Sequence, residues 1–149
     1  MAYNSRNNLK PLRKSNKYWL TNSAFYQAYY FALRYQEFLD PLEEMGDGSR
    51  GLSYDSQPHG SASKSSLEDL AIRRSRVSSK VDLIESACRL ADAELYPWLL
   101  KAVTNNDIGY DYLYYQLGIP CSRGTFYDRR RKFYFILSHK LDELTELKV

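Results

Sequence analysis

The chain has 149 residues, a length that suits one globular domain with or without an appendage. Its residues are 44% hydrophobic and 26% charged, which excludes a wholly disordered chain because such chains lack the apolar content to form a core. It contains no apolar run long enough to cross a membrane, and its first residues lack the apolar segment of a secretory signal. We therefore expect a cytoplasmic protein that has no membrane partner.

The charge is unevenly distributed along the chain. Residues 1–20 carry five basic and no acidic side chains, residues 21–120 carry nine basic and 14 acidic ones, and residues 121–149 carry seven basic and four acidic ones. Both ends are therefore basic, although the net charge is only +3. This asymmetry is typical of a protein in which one surface meets a polyanion such as nucleic acid.

The N-terminal region predicts a basic arm followed by an aromatic helix. Residues 1–20 are polar and contain Pro11, so we expect a flexible arm. The cations that this arm would offer to phosphates or to a minor groove are Lys10, Arg13, Lys14 and Lys17. Within residues 21–45, Asn22 or Ser23 can cap a helix that runs to about Leu39, before Pro41.

The aromatic helix, residues 23–39, is apolar on nearly every side. Such a helix is buried either in a core or against a second subunit, and tyrosine hydroxyls favour an interface with one wet edge. Because one DNA-reading helix gives only a modest interface, we expect a homo-oligomer, with a dimer favoured and this helix as its candidate surface.

A linker and a long amphipathic helix follow. Residues 46–65 are rich in Gly and Ser, which predicts a linker. Ser66 and Asp69 resemble a capping box at the start of a helix over 66–92, which could also be two helices broken near Ser78. Its apolar residues recur at steps of three and four: Leu67, Leu70, Ala71, Val77, Val81, Ile84, Cys88, Ala91 and Leu95.

The C-terminal third predicts a short helix, a turn and a long helix. Pro97 suits the first turn of a preceding helix that ends near Asn105. Asp107 can cap a helix over 109–117, and Gly118 supplies the left-handed residue that follows it. Ser122 then caps the last helix, whose apolar face is Phe126, Phe133, Leu137, Leu141 and Leu144.

We expect an all-α fold in which residues 66–149 form a helical domain with a helix-turn-helix at about 108–140 and an extended recognition helix. Leu113 and Leu117 would pack on Phe126, leaving the start of the last helix open to bases. The candidate base-edge residues are Arg123, Thr125, Tyr127 and Asp128. The candidate phosphate-binding residues are Ser122, Arg129, Arg130, Arg131 and Lys132.

Two of these candidates have a second interpretation. Arg130 follows Phe126 by four residues, so it can instead lie along the core face with its guanidinium extended toward solvent. Asp128 can accept a hydrogen bond from cytosine or hold a neighbouring arginine in position, and we favour the second role.

The segment LGIPCSRGTFYDRRRKFYFIL resembles the C-terminal signature of phage late-gene transcription regulators of the RinA/ArpU type. The matching residues are Ser122, Arg123, Thr125, Phe126, Tyr127, Arg130 and Arg131, and the likeness extends over about Leu52 to Leu141. The chain departs from the family in its additional Pro120–Cys121 and in Arg129, where an aromatic residue is usual. The resemblance implies sequence-specific binding of double-stranded DNA near a late or packaging promoter in a bacterial host, with host RNA polymerase as a further partner.

The sequence offers few signals for functions other than DNA binding. The chain lacks a nucleophile elbow and a phosphate-binding loop, so we expect no enzyme activity. Cys88, Cys121, His59 and His139 are far apart in sequence, so we expect no metal and no cofactor. Two alternatives remain: a DNA-packaging factor similar to small terminase subunits, and a helical protein–protein interaction module without direct DNA readout.

The tyrosines near the C-terminal third could also form a stacking platform for single-stranded nucleic acid. Tyr112, Tyr114 and Tyr115 are available for it, but alternating positions on a short helix cannot all face one way. Core packing is therefore the interpretation that we favour for most of these tyrosines.

Overall fold

A computed structural model describes residues 13–46 and 60–147 of the chain, with side chains for 13–43 and 66–145. In these parts the regular secondary structure is entirely helical, which confirms the all-α class, and no helix there is long and apolar enough to cross a membrane. The helices are α1 (Asn22–Leu33), α2 (Tyr35–Gly46), α3 (Gly60–Ala91), α4 (Tyr96–Thr104), α5 (Tyr110–Tyr115) and α6 (Arg123–Leu147).

The predicted aromatic helix is two helices rather than one. Thr21, not Asn22 or Ser23, caps α1, because its hydroxyl oxygen accepts a hydrogen bond from the Ala24 amide at 3.2 Å. The break falls at Arg34, whose amide donates to the carbonyl of Phe31 in a tighter turn. Pro41 lies inside α2, so the prediction that it ends the helix is wrong; its ring removes one backbone hydrogen bond without stopping the helix.

The long helix α3 is continuous, as one of the two predicted alternatives had it, but it begins at Gly60. Residues 60–65, expected in the linker, are therefore helical, and Ser66 does not cap the helix; residues 47–59 of that linker lie outside the described residues. The predicted apolar stripe divides in two, since Leu67 and Leu70 are exposed whereas Ile84 and Cys88 are fully buried.

The described residues belong to two compact units. One contains the chain up to Arg34 together with the chain from Leu83 onward, and the other contains Tyr35–Asp82. In the second unit Phe38 is buried and the Lys80 ammonium lies 5.2 Å from the centre of its ring. The candidate site lies wholly in the first unit.

The core of the first unit forms where α1, α4 and α6 pack together. The ring of Phe25 meets that of Tyr134 edge to face at 5.1 Å, and the Tyr29 hydroxyl donates to the side chain of Asn106 at 2.6 Å. The largest fully buried side chains of this unit are Ile84, Cys88, Leu99, Val103, Leu113, Phe126, Phe133, Leu137 and Ser138. Leu144, predicted on the same face of α6, is exposed.

The elements before α6 mostly follow the predicted order. Pro97 lies in the first turn of α4, and Asn105 ends that helix. Gly109, rather than Asp107, is the N-terminal cap of α5, and it makes no side-chain bond there because it has no side chain. Gly118 has a φ of 64°, the left-handed conformation predicted for it.

Candidate nucleic-acid interface

Three hydrogen bonds fix the segment that joins α5 to α6. The Ile119 amide donates to the carbonyl of Leu113 at 3.0 Å, which closes the turn around Gly118. The indole of Trp98 donates to the carbonyl of Leu117 at 2.9 Å, so α4 holds the turn from behind. The Tyr110 hydroxyl donates to the carbonyl of Cys121 at 2.5 Å. The start of α6 is therefore held in place by both preceding helices.

The first turn of α6, residues 122–125, is an exposed surface on a buried support. Every residue from Ser122 to Thr125 is exposed, whereas Phe126 directly behind them is fully buried beside the ring of Tyr110. The Ser122 hydroxyl oxygen accepts from the Thr125 amide at 3.3 Å, which confirms the predicted cap. The amides of such a turn carry partial positive charge, which favours a bound anion.

Arg123 stands on this turn and is held by two residues of α5 and by the side chain of Tyr127. Its guanidinium donates to the carboxylate of Asp111, and its central carbon lies 5.0 Å from the ring centre of Tyr110. The side chains of Arg123 and Asp111 nevertheless remain 55% and 68% exposed. The bond to Asp111 raises the pKa of Arg123, so its positive charge is secure.

Arg129 is engaged by carboxylates of its own chain. Its Nε donates to Asp92 at 3.1 Å and its Nη1 donates to Asp128 at 2.8 Å. Asp128 thus holds a neighbouring arginine, the role that the sequence favoured. Burial raises the pKa of Asp92, but hydrogen bonds from the Leu95 amide, Arg129 and the Glu94 amide outweigh it and hold this pKa below its usual value.

Arg130 belongs to the core face, as its second interpretation proposed. It is only 7% exposed, and its guanidinium lies 4.8 Å from the ring centre of Tyr127 and 5.9 Å from that of Phe126. Together with Tyr29 and Tyr134 it lines a small cavity of the first unit. Arg130 is therefore not positioned to reach a phosphate outside the protein.

Arg131 and Lys132 remain on the outer side of α6. Arg131 is exposed and Lys132 is half-buried, and neither forms an ion pair with any side chain that the structure describes. One turn further along, the ring of Phe135 packs against Tyr18 with centres 5.8 Å apart. This contact brings the N-terminal basic segment to the same side of α6 as Arg131.

Residues 13–20 of the predicted arm form hydrogen-bonded turns, and residues 1–12 lie outside the described residues. The Asn16 amide donates to the carbonyl of Arg13 at 2.9 Å, and the Trp19 amide donates to the carbonyl of Asn16 at 3.0 Å. Lys14 and Lys17 are exposed, and their ammonium groups lie over neighbouring aromatic rings. Lys10, the fourth predicted cation of the arm, lies outside the described residues.

Sequence reasoning missed two acidic partners of this surface, Asp92 and Asp111. Asp92 could have been found, because aspartate commonly accepts hydrogen bonds from the backbone two and three residues further on in a turn. Its carboxylate accepts from the amides of Glu94 and Leu95, in the turn before α4, at 2.9 and 3.0 Å. Asp111 gave no local signal, since it meets Arg123 only through the geometry of the turn. Both cysteines are free, and the described residues contain no cluster of potential metal ligands.

Comparisons with known proteins gave no match: no family model, no curated protein and no solved structure is significantly similar to the chain.

Proposed function

We propose that this chain is a sequence-specific binder of double-stranded DNA that acts through α5, the following turn and the start of α6. The observation that supports this proposal best is the first turn of α6, which is open to solvent at Ser122–Thr125 while Phe126 is buried behind it. Recognition helices use this arrangement, because their N-terminal residues contact base edges while their opposite face is held by the domain.

The proposal assigns base reading to fewer residues than the sequence indicated. Arg123 and Thr125 are exposed on the first turn of α6 and are the candidates for base edges. Tyr127 and Asp128 instead contact arginines of the chain itself. Tyr127 lies against Arg130 and hydrogen-bonds Arg123, and Asp128 binds Arg129. Arg129 in turn joins α6 to Asp92, so we assign it to holding the helix rather than to DNA.

Phosphate contacts fall to the cap and to the outer cations. The Ser122 hydroxyl lies at the positive end of α6, where a phosphate is favoured. The outer cations on the side of Phe135 are Arg131, Lys132, Arg13, Lys14 and Lys17. These contacts set the orientation of the protein on DNA and carry no sequence information themselves.

The resemblance of the last helix to phage late-gene regulators supplies the biological role in this proposal. The chain would bind near a late or packaging promoter, as a dimer, with host RNA polymerase as a further partner. A packaging factor similar to small terminase subunits would bind DNA through the same surface, and it differs from a regulator in forming ring-like assemblies.

One observation favours a second candidate function, docking of a protein partner. Tyr112, Tyr114 and Tyr115 of α5 are exposed, with Tyr115 at 76%, so packing does not account for them as the sequence suggested. Exposed tyrosines are enriched at protein interfaces. In this alternative the basic residues of α6 would meet an acidic partner protein.

Selection from a random duplex library tests the proposal directly. The full chain should enrich one sequence motif, and binding to it should survive competition with unrelated duplex. Arg123→Ala should relax the preference at one base pair, by about 1–3 kcal/mol, while leaving the other positions unchanged. Light scattering of the same sample distinguishes a dimer from a ring.

Two results would overturn the proposal. If no motif is enriched and unrelated duplex competes equally well, the chain does not read DNA sequence. If duplex DNA is not bound even at low salt, protein docking through the tyrosines of α5 becomes the better explanation, and Tyr115→Ala should then abolish partner binding.

A further inference from the structure

Arg123 contacts both a carboxylate and an aromatic ring of α5, whereas a simple surface ion pair would need only the carboxylate. Arg123 is bound on one edge by the carboxylate of Asp111 and lies over the face of Tyr110. Tyr110 is itself fixed, because its hydroxyl donates to the carbonyl of Cys121 and its side chain is buried. A long flexible side chain is thereby restrained while more than half of it stays exposed.

Such restraint matters for reading a base. A free arginine loses rotamer freedom when it binds, so an arginine that is already oriented loses less. The guanidinium has five N–H donors in a rigid fork, so its hydrogen bonds to Asp111 and Tyr127 still leave donors available for the two acceptors of guanine. The same carboxylate repels the phosphates of any DNA close to it, whatever its sequence.

We infer that Asp111, with the ring of Tyr110, is a positioning residue that orients Arg123 toward one guanine and at the same time weakens binding to unrelated DNA. The inference rests on the proposed DNA-binding function. In this inference Asp111 contributes to sequence specificity, although a negative charge near DNA by itself weakens binding.

The test replaces Asp111 with asparagine, which keeps the size of the side chain and removes its charge. Binding to the selected site should lose discrimination at a single base pair, on the order of tenfold, because Arg123 is no longer held. Binding to unrelated duplex should strengthen by roughly twofold to fivefold, because one repelled charge is removed. The two effects have opposite signs, which a general loss of stability cannot produce.

Asp107→Asn is the matched control. Asp107 is exposed, lies just before α5 and forms no side-chain hydrogen bond or ion pair in the part of the chain that the structure describes. This variant removes the same charge, so it should strengthen unrelated binding similarly while keeping full discrimination. If both variants behave alike, Asp111 acts only through its charge and the inference is wrong.

A measurement without DNA separates this inference from the proposed function. In the free protein, the heteronuclear NOE of the Arg123 Nε–H group should be high, should fall in Asp111→Asn, and should stay unchanged in Asp107→Asn. An Arg123 side chain that is equally mobile in all three proteins overturns the positioning role. An ordered Arg123 in a protein that binds no duplex overturns the proposed function instead.

Discussion

The first and second turns of α6 both carry arginine, but the surroundings of these arginines differ. In the first turn, residues 122–125 are all exposed, and the only cation, Arg123, is held at the surface. In the second turn, Arg129 binds two carboxylates and Arg130 is buried beside aromatic rings. The first turn is available to a ligand, whereas the second joins the helix to its own domain.

The difference shows how little a run of basic residues says about a binding surface. Successive residues of a helix are rotated by about 100°, so the four cations from Arg129 to Lys132 point in four directions. The packing of Phe126 and Phe133 decides which of these directions face the core. Of these four cations only Arg131 and Lys132 are left on the outer side, so the proposed phosphate-binding surface is smaller than the sequence indicates.

The largest expected effect comes from removing these two outer cations together. In Arg131→Ala with Lys132→Ala, the slope of log affinity against log salt should decrease by about two units, because each lost phosphate contact changes it by about 0.9. Near 0.1 M salt this corresponds to a loss of affinity on the order of 50-fold. Fluorescence anisotropy with a labelled duplex, over a series of salt concentrations, measures both quantities.

Arg129→Ala is the control for this comparison. Its guanidinium is bound by Asp92 and Asp128, so its removal should leave the salt slope nearly unchanged and lower the thermal stability instead. A salt slope that responds to Arg129 as strongly as to the outer pair would contradict the division between the two turns.

The next largest effect concerns the support beneath the second turn. Asp92 accepts hydrogen bonds from two backbone amides and from Arg129, so Asp92→Ala should lower the free energy of unfolding by about 1–3 kcal/mol. Asp92→Asn should cost less, because its amide oxygen can still accept from the backbone. Urea denaturation followed by circular dichroism gives both values.

Asp92 also makes the stability of the protein depend on pH. The pKa of Asp92 is lower in the folded chain than in the unfolded chain, where it is about 3.9. The charged Asp92 therefore contributes its full stabilisation at a pH above its pKa in the unfolded chain. This stabilisation is lost as the pH falls through its pKa in the folded chain. As the pH is lowered below about 4, the free energy of unfolding should fall less steeply in Asp92→Asn than in the wild type. If it falls equally steeply with pH in both proteins, the charge of Asp92 contributes nothing to stability.

Much of the fold could be predicted from local sequence signals. Gly118, Ser122 and Asn105 mark the ends of helices through their own backbone and side-chain chemistry, and each was placed correctly. The failures arose where a local rule competes with longer-range packing. Proline usually ends a helix, but Pro41 lies within α2. Arg34, where α1 ends, is not a residue type that commonly marks a helix end, so the sequence does not predict the break there.

The candidate site was less predictable than the fold. Helical periodicity places Arg130 beside Phe126, so its burial could be anticipated. The pairing of Arg123 with Asp111 depends on the turn between two helices, and that of Arg129 with Asp92 spans 37 residues. Contacts of this kind follow from tertiary geometry, which composition and spacing do not encode.

The smallest expected effect concerns the turn around Gly118, which joins α5 to α6. Gly118 has a φ of 64°, so Gly118→Ala should lower the free energy of unfolding by about 1 kcal/mol, because a Cβ atom is strained in this conformation even where space is open. Gly124 also has open space around it but lies within α6, so Gly124→Ala should instead stabilise the protein, by roughly 0.5–1 kcal/mol. The two substitutions add the same methyl group, and chemical denaturation should give changes of opposite sign. If Gly118→Ala were neutral, the left-handed turn would not be what positions α6, and the first turn of that helix would owe its orientation to the bonds from Trp98 and Tyr110 alone.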